Sequence, residues 1–176
     1  QSKDTLRGVL PIQVKGRSRK NLDSFSGIFD VSTTDLKNYL KKGGAIYVLV
    51  IFESADKYGI FYARLLPFDI YKLLRTVDSE AKTIKVQFES FPSSYMEAGC
   101  LLIELVDDYK RQASSTDQQI LSLKELKEAV NLKDVQLTIH HTGIGSVVDR
   151  FFSHGFYIYA KPKGFNIQIP VAYSKG

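Results

Sequence analysis

The stretch GVLPIQVKGRSRK, Gly8 to Lys20, decides how the rest of the chain is read. From Val9 to Lys15 it reads as a strand. Strand side chains alternate, so Ile12 and Val14 share one face, and Gln13 and Lys15 stand together on the other. An amide and an ammonium two residues apart then run straight into a basic loop holding Arg17, Arg19 and Lys20. Two readings follow. In one, this is a strand at a wet sheet edge with a solvated loop after it. In the other, it is the working edge of a site that handles phosphate, because several cations a few residues apart would track a phosphate backbone and make binding salt-dependent.

Outward from that strand the pattern is α/β. Ser24 to Val31 reads as a second strand. Ser32, Thr33, Thr34 and Asp35 offer N-cap oxygens before Leu36, Tyr39 and Leu40, which fall at helical spacing. Lys41 and Lys42 meet the negative end of that helix, and Gly43-Gly44 stop it. Ala45 to Phe52 is apolar on both faces, which suits a central strand covered on each side. The polar turn Ser54 to Gly59 leads to a hairpin partner, Gly59 to Leu66. Pro67 opens a helix through Leu74. Ile84 to Phe91 alternates as one half-exposed strand. Ser94 and Glu97 form a capping box for a helix reaching about Gln112.

Ala113 to Gln119 is the best linker. Beyond it come a capping box from Ser122 to Glu125 with a helix to about Val130, strands at Val135–His141, Phe156–Lys161 and Phe165–Tyr173, and a short helix within Gly145–His154. The predicted organisation is a core over residues 1–115 and a small α+β extension over 116–176.

The 176 residues are 44% hydrophobic and 24% charged, which excludes a disordered or fibrous chain. The net charge of +5 favours an anionic partner only weakly. The longest apolar run, Ala45 to Phe52, is far short of the roughly 20 residues of a membrane helix, so no membrane partner is expected. The single cysteine, Cys100, excludes an internal disulfide and reads as a buried structural thiol. The chain opens on Gln1 with neither an initiator Met nor an apolar leader, so it reads as an excised piece of a longer, cytoplasmic protein.

With IQVKG, FDVSTTDLKNYLKKGGAIYVLVIFE and GIFYARLLPFDIYKLL on the page, the chain resembles the PD-(D/E)XK nuclease superfamily, of restriction-endonuclease-like fold. Within it, the resemblance is to a little-characterised bacterial group with IQVKG-type strands, and it covers roughly Gly8 to Gln112. It implies a central mixed sheet flanked by helices, here N-terminally truncated. It also implies a metal-dependent nuclease that hydrolyses DNA phosphodiesters, as in defence or mobile-element proteins. In that superfamily carboxylates on neighbouring strands hold Mg²⁺, a hard cation that wants oxygen ligands, and a Lys beside them serves the attacking hydroxide.

Carried over, the resemblance makes Lys15 and Gln13 catalytic, Gln13 and Asp4 metal ligands, and Lys15, Arg17, Arg19 and Lys20 nucleic-acid-binding. The chain departs from the pattern in two ways: Gln13 stands where an acid is usual, and Asp4, nine residues earlier, is the nearest upstream acid to it. Two rival classes therefore stand beside the enzyme. One is an inactive, nuclease-derived nucleic-acid-binding module. The other is a protein-interaction scaffold, and self-association into a homo-oligomer stays open.

Other motifs carry less. His140 and His141 are strand neighbours pointing to opposite faces, and His154 is no better placed, so a histidine metal site is not expected. Thr142-Gly143-Ile144-Gly145 lacks the Lys-Ser/Thr of a phosphate loop.

Overall fold

The computed structural model describes residues 8–78, 80–113, 124, 128, 135–139, 155–163 and 168–174. The chain divides into two compact units, Gln1–Thr116 and Asp117–Gly176.

The first unit is a mixed α/β structure. Its elements are β1 (Ile12–Ser18), β2 (Ile28–Ser32), α1 (Thr33–Lys41), β3 (Ala45–Phe52), β4 (Tyr58–Leu65), α2 (Pro67–Leu74), β5 (Thr83–Gln87), β6 (Glu89–Ser90) and α3 (Tyr95–Ala113). A four-stranded sheet runs in the order β1-β3-β4-β6, with β1 parallel to β3 and the other pairs antiparallel. The connection that makes β1 and β3 parallel passes through β2 and α1. β2 lies outside this sheet and pairs with β5 in a two-stranded antiparallel ladder.

Local chemistry explains the helices. Ser32 Oγ accepts from Asp35 N at 3.4 Å and caps α1, which ends at Gly43 and Gly44 with φ of 87° and 98°. α2 begins at Pro67 without a side-chain cap from Leu66. The missing acceptor comes from α3: buried Gln112 Oε1 accepts from Phe68 N at 3.1 Å. One side of α3, Leu101, Leu105 and Gln112, is buried. Cys100, on the same helix, is half-buried, contrary to the expectation of a buried thiol.

The core lies between the two sheets. Tyr47, Leu49 and Ile51 of β3 and Ala63 and Leu65 of β4 meet Val31, Ile84 and Val86 of the ladder, with Leu36 and Ile70 from α1 and α2. Leu36, Leu49, Leu65 and Ile70 are each fully buried, and each such side chain contributes about 1.5–3 kcal/mol by leaving water.

One sequence expectation is revised. Ile84 to Phe91 is not one strand. It breaks at Phe88, with β5 in the ladder and β6 against β4 in the larger sheet. Phe88, 2% exposed, fills the junction, stacking edge-on to Phe29 and Tyr47 at 6.0 and 5.6 Å. The structure also shows which face of β1 turns from the core: Ile12 and Val14 are 51% and 58% exposed. Register is the cause. Gln13, Lys15 and Arg17 pair with Tyr47, Leu49 and Ile51, so the polar side chains take the parity of the core face.

The second unit holds a three-stranded antiparallel sheet, β7 (Val135–Ile139), β8 (Phe156–Pro162) and β9 (Ile169–Ser174), with an irregularity at Ile158/Tyr159. Tyr157, Tyr159, Ala160 and Val171 are buried in it. The helices predicted at Ser122–Val130 and within Gly145–His154 fall largely or wholly outside the described residues, as do His140, His141 and His154.

Candidate functional site

β1 is an edge strand of the larger sheet, seven residues long. Its ladder with β3 continues past the strand itself, since Arg19 N donates to Phe52 O at 2.8 Å. Gln13, Lys15 and Arg17 point to the face that bears the core, but at the sheet's margin, where β2 rather than β3 supplies their floor. That floor is Phe29. Lys15 Nζ and Arg17 Cζ lie 5.6 and 5.8 Å from the centre of its ring. One step further, Arg19 Cζ lies 5.2 Å over the ring of Phe25. Each contact is worth roughly 0.5–1 kcal/mol at an exposed site.

The rings are themselves fixed. Phe25 meets Phe61 edge-on at 4.6 Å, and Phe29 lies against Phe88 and Tyr47. The cations are therefore held on supports that the core positions. Alternate residues of a strand are ~6.6 Å apart, so Lys15, Arg17 and Arg19 make a row of roughly 13 Å. Arg17 and Arg19 are exposed, and Lys20 is exposed in the loop beyond.

The loop after β1 is tied down. Glu53, just after β3, accepts from Leu22 N at 2.7 Å and from Lys57 Nζ at 3.0 Å. Those bonds, the Leu22 N–H first, hold the Glu53 carboxyl below the usual carboxylate range. Within the loop, Arg19 Nη1 donates to Ser24 O at 3.3 Å.

Tyr47 lies beneath the row. Burial pushes its hydroxyl up to about 12, Tyr39 and Asp35 add to the rise, and Arg17 opposes it. The phenol stays neutral at any physiological pH and adds no charge to the row.

The predicted metal centre has less behind it. Gln13 is exposed, and its Nε2 donates to Val14 O at 3.0 Å, which leaves the amide oxygen as one neutral donor. Asp4 lies outside the described residues. Among the described residues no three His, Cys, Asp or Glu side chains converge, so the described donors do not by themselves fit Mg²⁺.

The structure thus brings Gln13, Lys15, Arg17 and Arg19 to one margin. Sequence reasoning missed the rings under them. The available signal was Phe25 and Phe29 following the basic run by a few residues, the interleaving of aromatic and basic side chains that suits a nucleic-acid surface.

No described helix is long and apolar enough to cross a membrane. The chain matches no protein-family model, and comparison with curated proteins and with solved structures gives no significant match.

Proposed function

We propose that the chain binds the phosphate backbone of a nucleic acid along β1, as a restriction-endonuclease-like module of nuclease-derived type acting on DNA in the cytoplasm. The observation that supports this reading above the others is the row Lys15, Arg17 and Arg19, seated on Phe29 and Phe25. A solvated edge needs scattered cations only. Here three follow one another along one extended segment and rest on rings packed against the core, which lowers the entropy lost when they grip an anion.

The test is fluorescence anisotropy with a labelled DNA across a salt series. Three phosphate contacts predict log K falling against log salt with a slope of about −2 to −3. The triple change Lys15→Ala, Arg17→Ala, Arg19→Ala should flatten it while circular dichroism stays unchanged. Affinity indifferent to salt, or unaltered by the triple change, refutes the reading and favours a protein-interaction scaffold.

Hydrolysis is the second reading, favoured by Gln13 and Lys15 projecting from the same face of one strand. It requires carboxylates beyond the described residues, Asp4 among them. On this reading Lys15 faces the scissile phosphate. Supercoiled plasmid incubated with Mg²⁺ or Mn²⁺ should be nicked by the wild type and left intact by Lys15→Ala. Nicking that survives the substitution removes Lys15 from the chemistry. Absence of nicking in the wild type removes hydrolysis from this chain and leaves the binding reading intact.

A further inference from the structure

We infer that the nucleic acid held on β1 is single-stranded, an inference that rests on the phosphate-binding reading above. A duplex is read by an element that enters a groove, such as a helix or a two-stranded ribbon. β1 is neither: it lies flush in a sheet with β3 beside it. Lys15 and Arg17 are alternate residues of β1, and Arg19 follows at the same spacing just beyond it, where its N still donates to Phe52 O. A duplex backbone winds around its axis and leaves such a row quickly, whereas a flexible single strand can lie along it.

The supports point the same way. Arg17 and Arg19 do not stand free as point charges. Each guanidinium lies over an aromatic ring, with centres 5.8 and 5.2 Å away, and both residues are exposed. A planar cation backed by a ring is a stacking platform, and a guanidinium plane can receive a base as well as a phosphate. Unstacked bases are available only in a single strand. Phe25 and Phe29 are themselves partly exposed, so the margin alternates cations with π surface, the combination that binds single strands without sequence preference.

The test compares a labelled single-stranded oligonucleotide with its blunt duplex at equal salt, on the wild-type chain and on Arg17→Lys/Arg19→Lys. The double variant keeps both charges at exposed positions and removes both planes. The wild type should bind the single strand about tenfold more tightly, with a salt slope of about −2, from three contacts at 0.7 each. The variant should lose several-fold in single-strand affinity at an unchanged slope, and clearly less in duplex affinity. A duplex bound as tightly as the single strand, or a variant of undiminished single-strand affinity, overturns this inference and leaves the proposed function standing. Absence of salt-dependent binding to either nucleic acid overturns both.

Discussion

Asp108 offers a quantitative test of the packing between α3 and the larger sheet. Its side chain is 18% exposed, and its Oδ1 lies 3.5 Å from Arg111 Nη1. Three influences compete at the carboxyl. Burial raises its pKa, Arg64 of β4 and Arg111 lower it, and Asp107 adds a smaller rise; burial prevails and pushes the group up to about 6 from 3.8. The folded chain therefore binds this proton more tightly than the unfolded chain does. The stabilisation this gives is fully present below about pH 4 and is lost as the pH rises through about 6. A shift of about two units corresponds to about 3 kcal/mol.

Asp108→Asn keeps the shape and removes the ionisation. Urea unfolding of both proteins between about pH 4 and pH 7 should show the variant gaining on the wild type by about 2–2.5 kcal/mol, most of it below about pH 6.5. Carboxylates common to both proteins cancel in that difference. A gap that stays constant refutes the burial of Asp108. A gap that moves the other way means that Arg64 and Arg111 outweigh desolvation, and that the pair is a net stabiliser.

Gln112→Ala removes the acceptor of Phe68 N at the start of α2 and should cost about 1–3 kcal/mol in chemical denaturation; a neutral result would mean that water serves that N–H equally well. Gly44→Ala places a Cβ 2.8 Å from Leu65 O at a φ of +98°, and a loss of about 1–3 kcal/mol is expected from the melting curve, with wild-type stability counting against that backbone conformation. Lys15→Ala with Arg17→Ala should lower stability by no more than about 1–2 kcal/mol, the value of two exposed cation–ring contacts, so that any loss of nucleic-acid affinity is not a loss of folding. Unfolding of that double variant at room temperature would refute the placement of both residues at the margin.

What the sequence discloses is what short-range chemistry fixes. Ser32 and Gly43-Gly44 bound α1, Pro67 starts α2, and the doubly apolar run Ala45 to Phe52 becomes β3, paired on both sides. Long-range pairing is another matter. Alternation divides β1 into two faces without saying which one packs, and the parallel register with β3 gives the core parity to Gln13, Lys15 and Arg17. The break at Phe88 is equally hidden, because Ile84 to Phe91 alternates well enough to pass for a single strand. The basic margin was legible in its charges and illegible in its supports, since Phe25 and Phe29 come under Arg19, Arg17 and Lys15 only when β2 leaves the main sheet.

Phe88 carries a consequence for how the first unit comes apart. A two-stranded ladder in water is barely stable by itself. Here the chain hands over from that ladder to the main sheet at one residue, whose N donates to Gly27 O at 2.6 Å while its ring wedges between Phe29 and Tyr47. That one residue ties the ladder to the sheet through both its backbone and its ring. Phe29, the seat of two cations, thus packs on a ring almost sixty residues downstream, and the basic margin is tied to the core of the unit rather than standing as an independent edge.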